Sequence, residues 1–546
     1  MDKWKNMLNG ISQNFKRVTS RYPLTMVLVV LVAISACLFI DQSGALGQFM
    51  ENKGLPFLIL WGIGTYFAET FWRKKNVLKW CGTVAAALIA VGFVYFGTNG
   101  SAYVQELTSH WVWAYSIVLV SMSVYRNWVN SGLRFAEYCI RVVHELSRLA
   151  IVCAIVSLGI ALVAATFVTL ILNGEHFMLV LRVEFLVVGF LVGSGLLDAQ
   201  LCPDRELPRF FVVIVKYLLT GMLTAAFVII YGYILKIVVT RVVPSNEIFR
   251  ILAGLFIIGL PIWTMIGTFE PDHPLVKIGV KLPYIFIPFL FLQGYAIRER
   301  IVAYGMTPLR YLCLALMVFE VVYITVYAMK KRETALMLPL FAVLSVVCLV
   351  LPEINMYDVS NRSQKAAFDR LIVSDFHDLP VEDQSRLVGA YYYLAGNASG
   401  KELLSGGDPA KIEAIKASGL TGIQDFDRIM SVYYDFPVQD ADISKFTQMS
   451  MVSTIVWRDG AEKPETFDTE KVELFDKAEN VVITADVSDF INECISAWSI
   501  APFGVADIPT LIDLPDGGAL LVYHCDFSVE PENRISYLNL SAVLLR

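Results

Sequence analysis

Charge is scarce in this chain. Asp, Glu, Lys and Arg make up 17% of its 546 residues, where a soluble domain carries roughly 25%, and the deficit excludes a single water-soluble globule. Histidine is rarer still, six in all. No His-Glu-x-x-His helix, Gly-x-Ser-x-Gly elbow or dinucleotide fingerprint occurs. The sequence therefore offers no catalytic residues, no metal set and no cofactor, and reads as non-enzymatic. The stretch from Gly396 to Glu402 imitates a phosphate loop, but its spacing is one residue short and Glu402 stands where Ser or Thr is required; it reads as a turn. His524, Cys525 and Asp526 offer no zinc spacing, because strand neighbours point to opposite faces.

What the chain has instead is hydrocarbon. A run of about 18 apolar residues satisfies its backbone internally as a helix and crosses ~30 Å of lipid. Eleven such runs lie near Leu24 to Ile40, Leu55 to Trp72, Trp80 to Phe96, Trp111 to Tyr125, Leu149 to Leu172, Phe177 to Leu197, Phe210 to Leu235, Ile251 to Ile266, Leu282 to Ile297, Leu309 to Met329 and Leu336 to Leu351. Pro261 and Pro288 lie inside runs and should kink or break them. Gly189 and Gly193 make a small-xxx-small pair suited to close helix contact. The first run follows a polar basic segment and lacks a small-residue cleavage site, so it reads as a retained span.

Charge divides the chain at about Pro352. Residues 1–352 hold 29 Lys and Arg against 18 Asp and Glu; residues 353–546 hold 15 against 32, a net of −17. The expected organisation is a transmembrane helical domain, 1–352, followed by an acidic soluble α+β domain, 353–546, which would repel nucleic acid. Lys and Arg collect on cytoplasmic loops. The basic N-terminus, the cluster Arg73, Lys74, Lys75 and Lys79, and Lys330 to Arg332 share one side if eleven helices cross, placing the N-terminus in the cytoplasm and the acidic domain outside. The loops around Lys236, Arg241 and Arg250 and around Arg298, Arg300 and Arg310 oppose that placement.

Several polar residues stand out against this apolar background. Glu320 is in the middle of the tenth run, where a carboxylate costs several kcal/mol unless it is protonated or paired. Lys216 and Glu69 lie nearer the ends of theirs. Between Arg126 and Arg148, Arg134, Arg141 and Arg148 recur at seven-residue spacing opposite Phe135, Tyr138, Val142, Leu146 and Leu149. That pattern predicts a basic amphipathic helix along the interface, either a plain linker or a site for anionic lipid heads. In the acidic domain Asn361 and Gln364 predict a capping box opening a helix at Ala366, with further helix over Val381 to Leu394 and Pro409 to Ala417. Alternation predicts strands over Val481 to Val487, Ala519 to Tyr523 and Ile535 to Val543, with turns at Asp516 to Gly518 and Glu530 to Asn533. Cys494 and Cys525 are the two cysteines of this domain, free or paired according to compartment.

Tyr304, Gly305, Met306, Thr307, Pro308, Arg310 and Tyr311 form a Tyr-Gly-x-Thr-x-x-Arg-Tyr motif ahead of the tenth run. With the approach from Lys281 to Arg300, and with Tyr357 to Gln364 and Ala366 to Leu371 beyond, the chain resembles a family of bacterial multi-pass inner-membrane proteins built on a domain of unknown function. The resemblance implies a protein of the bacterial cytoplasmic membrane with no assigned reaction. Read physically, Gly305 permits a tight turn, Thr307 can cap and Pro308 can start the next helix, leaving Arg310 in a first turn that disfavours cations. Arg310 thus wants an anion, either a lipid phosphate or a carboxylate such as Glu299. Together with Arg298, Arg300, Lys236, Arg241 and Arg250 it could form a basic platform for the acidic domain.

These readings converge on a polytopic α-helical membrane protein of about eleven spans that binds, senses or scaffolds through its soluble domain, with the bilayer and a protein as partners. The alternative is a transporter or lipid-handling protein with a cavity near Glu320 and outer-face arginines. The candidate binding residues are Arg298, Arg300, Tyr304, Arg310, Glu320 and Lys216.

Overall fold

The computed structural model of the chain describes residues 15–39, 45–171, 178–201, 207–240, 247–329, 334–374, 379–404, 411–412, 415, 430–435, 449–454, 469–476, 481–500, 511–514, 518–530 and 534–546. Arg241, Lys330 to Arg332 and both turns of the last strands lie wholly or largely outside these residues, as does most of the helix expected over Pro409 to Ala417. Two compact units divide the chain. One comprises residues 1–302 and 308–359, the other 303–307 and 360–546.

All eleven apolar runs fall on helix. In order, α1 is Phe15–Arg21, α2 Pro23–Phe39, α3 Ala45–Phe49, α4 Leu55–Phe71, α5 Asn76–Asn99, α6 Ala102–Ser131, α7 Phe135–Ile171, α8 Met178–Gln200 and α9 Arg209–Val213. A π-turn, Ile214–Leu219, leads into α10, Thr220–Thr240. Then come α11 Glu247–Ile266, α12 Pro274–Gly279, α13 Leu282–Ile285, α14 Ile287–Tyr304, α15 Pro308–Met329, α16 Met337–Leu349 and α17 Met356–Leu371.

Among the described residues seven helices are long and apolar enough to cross a membrane, or eight if α1 and α2, which meet at 113°, form one bent span. The chain is a multi-pass membrane protein. The ninth run is interrupted: Pro283 and Pro288 each open a new helix, so α13 and α14 are separate. The last run gives a helix of 13 residues, about 20 Å at 1.5 Å per residue. By contrast Pro261 is accommodated inside an unbroken α11.

Apolar side chains on α7 such as Ile155, Leu158, Leu162 and Val163 are exposed, as a helix facing hydrocarbon requires. The basic stretch expected as a separate interfacial helix is instead the first turns of α7, a single helix of 37 residues. No Gly or Pro interrupts the join at Arg148 and Leu149, so the helix propagates. Its Phe135, Tyr138 and Val142 pack with Ala335 inside the protein and are not a lipid-facing stripe. Gly193 lies so close to Val29 of α2 that a Cβ would collide with it, the contact that small residues permit.

Glu69 of α4, wholly buried, accepts hydrogen bonds from the backbone N–H groups of Leu24 and Thr25 at 3.1 and 3.2 Å and from the Thr25 hydroxyl at 2.7 Å. It thereby caps α2 from another helix, because the first turn of a helix leaves N–H groups without partners and attracts negative charge.

The second unit adds α18 Val381–Ala395, α19 Ala398–Leu404 and α20 Ser488–Ile500 to a seven-stranded antiparallel sheet. The strands are β1 Met430–Asp435, β2 Met449–Thr454, β3 Val472–Asp476, β4 Val481–Ala485, β5 Leu511–Asp513, β6 Ala519–Glu530 and β7 Arg534–Leu545, in the order β1-β6-β7-β2-β3-β4 with β5 also on β6. Helix α17 begins at Met356, six residues or so ahead of the expected cap. Asn355 accepts from the N–H groups of Tyr357 and Asp358 at 3.0 and 2.9 Å, and Asp358 reaches back to the Asn355 amide. Asn355 is thus the N-cap, its side chain steadied by Asp358, six residues ahead of Asn361, which with Gln364 lies inside the helix. The stretch resembling a phosphate loop is the α18 to α19 turn, where Asn397 accepts from the Gly400 N–H at 2.6 Å.

Candidate functional site

A ladder of buried polar groups runs through the bundle. Glu320, Tyr323 and Tyr327 share one face of α15, at the helical spacing of three and four residues, and all three are fully buried. The Gln293 amide of α14 donates to Glu320 Oε1 at 3.4 Å. One turn on, the hydroxyls of Tyr323 and Thr264 of α11 stand 3.5 Å apart, and Tyr327 donates to the Val280 carbonyl at 3.1 Å. Glu320 Oε2, Gln293 Oε1 and Trp263 Nε1 have no hydrogen-bond partner among the described residues. Leaving a buried polar atom unserved costs about 1–3 kcal/mol, so the ladder can accept a proton, a water molecule or a small polar donor.

Aromatic rings close it off. Phe256 lies 5.5 Å from Tyr323 at 88°, Trp263 lies 6.0 Å from Phe286, and Phe286 lies 5.4 Å from Phe289. All five rings are at most 1% exposed.

Among the described residues two apolar crevices stand out, one of them beside this core, and Glu320 lines neither. One, about 680 Å³, lies between α6, α11, α15 and α16 and includes Trp113, Ile257, Leu316, Phe319, Leu344 and Tyr357. Tyr357 stacks on His110 of α6, with centroids 3.4 Å apart and planes at 8°; burial, with Glu106 nearby, raises its phenol above the ordinary range. The other, about 540 Å³, lies between α2, α4, α6 and α8 around Gly62, Gly189 and Gly193.

The candidate residues do not converge on one site. Arg310 is buried in the first turn of α15, about 15 Å along the axis from Glu320. Arg298 is exposed and lies 2.6 Å from Glu299, the carboxylate considered above for Arg310. Arg300 is half-buried. Lys216 is buried in the π-turn with its ammonium 5.5 Å from the Tyr217 ring centroid. Arg134 pairs with Glu137 at 2.5 Å and Arg148 with Glu145 at 3.7 Å, while Arg141 is half-buried. Tyr304 takes part through its backbone: the Gln364 amide donates to the carbonyls of Tyr304 and Met306 at 3.2 and 2.8 Å, and Ser363 Oγ accepts from the Met306 N–H at 2.9 Å. Gly305 sits between them at φ 78°.

Gln293, Thr264 and Tyr323 escaped sequence reasoning. Their signal was present, since each is a polar group inside an apolar run, but only the packing of α11, α14 and α15 sets Gln293 beside Glu320 and Thr264 beside Tyr323. Among the described residues no group of three His, Cys, Asp or Glu side chains could hold a metal. Comparison with known proteins finds no matching family model, no matching curated protein and no matching solved structure.

Proposed function

We propose that this is an integral protein of the bacterial cytoplasmic membrane, with about eleven helices and a cytoplasmic N-terminus, whose C-terminal unit lies outside and binds or scaffolds an envelope component without catalysing a reaction. The observation that carries this reading is the enclosure of Glu320. A transport route needs a polar path to its mid-membrane carboxyl, whereas Glu320 is fully buried and lines neither of the two crevices described above. The functional surface then falls to the acidic unit. The Tyr304 to Tyr311 motif acts as a structural joint, its turn held by Ser363 and Gln364.

The test is sidedness combined with flux. Single cysteines replacing exposed Lys401 and Glu473 should react with a membrane-impermeant maleimide in intact spheroplasts, and proteoliposomes should hold a proton gradient as well as empty vesicles do. Labelling only after lysis removes the external binding role; a leak abolished by Glu320→Gln replaces it with transport.

The larger crevice favours a second reading, lipid handling. Its apolar lining comes largely from α6, α11 and α15, helices of membrane-spanning length, and from the shorter α16, and a volume of this order holds a drug-sized or acyl ligand. Phospholipid retained through detergent exchange by the wild type and lost in Leu316→Trp would support it.

A further inference from the structure

The sheet of the second unit brings together two thiols far apart in sequence. Along β6 the residues that enter the core cluster are Leu520 and Val522, then Cys525 and Phe527, so the face turned to that cluster changes parity. The cause is a bulge: the pairing with β7 shifts between Val522 and His524. An extra residue in one strand re-aims every side chain after it, and without this bulge His524 rather than Cys525 would face the core.

Helix α20 lies over the same face. Phe490, Ile491 and Cys494 form its inward stripe, and all join Val522, Cys525 and Phe527 in one hydrophobic cluster. Cys494 and Cys525 are fully buried within that one cluster, both as free thiols, and the Cys494 thiol is the first cause that raises the Cys525 thiol above its ordinary range. In the rest of the described chain the cysteines are dispersed over α2, α5, α7, α15 and α16.

We propose that Cys494 and Cys525 are a disulfide-forming pair that pins α20 to β6 once the unit meets an oxidising compartment; its closure during biogenesis rests on the external placement argued above. The oxidant is the disulfide of a dithiol oxidoreductase. One cysteine thiolate attacks that disulfide to give a mixed disulfide, the second displaces the partner, and the partner leaves as a dithiol. The pair gives up two electrons and two protons, and the partner takes them. Because both sulfurs are sealed in the folded core, exchange takes place before α20 seats on the sheet. The bond closes a loop of about thirty residues, a length at which cross-linking restricts the unfolded chain substantially.

The experiment is differential alkylation with peptide mapping. Cells are quenched in acid, and the full-length protein is denatured and alkylated with N-ethylmaleimide before and after reduction. The same is done in cells whose cytoplasm has been made oxidising. Peptides bearing Cys494 and Cys525 should both lack the adduct until reductant is added, and Cys494→Ala should expose Cys525 fully. Free thiols in ordinary cells but a bond in oxidising cytoplasm would uphold the pair and move the unit to the cytoplasmic side, which the maleimide labelling at Lys401→Cys reports independently. Full alkylation without reductant in both kinds of cell would overturn the proposal.

Discussion

Replacing Gly305 by alanine tests why the Tyr304 to Tyr311 stretch takes its particular form. Gly305 is buried at φ 78°, a left-handed conformation that costs an L-residue roughly 1–2 kcal/mol. An added Cβ would also stand 3.1 Å from Ser363 Oγ and 3.2 Å from Gln364 Nε2. Those are the atoms that hold the turn, so the new methyl displaces one or two hydrogen bonds worth about 0.5–1.5 kcal/mol each. The combined cost is about 1.5–5 kcal/mol, which raises the opening equilibrium of the turn roughly 10- to 4000-fold. Amide exchange followed by mass spectrometry on a peptide covering 303–307, in detergent, reads this as loss of protection at the Met306 N–H. Gln364→Leu removes both amide donors without touching the backbone and should give about half the effect. If Gly305→Ala exchanges like wild type while Gln364→Leu does not, the conformational term fails; if neither changes, the turn is not anchored as described.

Other outcomes follow from buried carboxyls and thiols. Glu69→Ala strips three hydrogen bonds from the first turn of α2 and should lower stability by about 2–4 kcal/mol, read as an earlier thermal transition in detergent; an unchanged midpoint would refute the capping role. Gln293→Leu alone leaves the Glu320 carboxyl unserved and should destabilise by about 1–3 kcal/mol, whereas Gln293→Leu with Glu320→Leu should recover most of that loss; additive losses in the double-mutant cycle would contradict the pairing. In the reduced protein the Cys494 thiol, then burial, push the Cys525 thiol well above its ordinary 9.0. The unfolded chain releases that proton first, so the contribution is complete below pH 9 and declines as pH rises further. Denaturant midpoints should therefore fall between pH 8 and 10 more steeply for reduced wild type than for Cys525→Val; equal slopes would count against the shift.

The membrane class and the helical runs were legible because a 3.6-residue helix in hydrocarbon leaves its requirement in composition alone. Among the described residues each apolar run falls on helix, the ninth broken between α13 and α14. Local chemistry was less legible: Asn361 with Gln364 satisfied the same capping pattern as Asn355 with Asp358, and only the folded chain shows Gln364 serving Tyr304 and Met306 instead. The strands β4, β6 and β7 showed in their β-branched alternation. The strands β1, β2, β3 and β5 and helix α20 were missed, since short segments with mixed polarity draw their stability from neighbours in the sheet.

Apolar length and charge fixed a multi-pass protein with an acidic end, because burial in lipid and exposure to water each demand their own residues throughout. Which groups meet inside was decided by tertiary packing. Gln293 and Glu320 are brought together by the packing of α14 against α15, and the bulge after Val522 in β6 turns Cys525 into the core cluster that holds Cys494. Contacts between residues distant in sequence depend on helix rotation and strand register, and no local pattern encodes either.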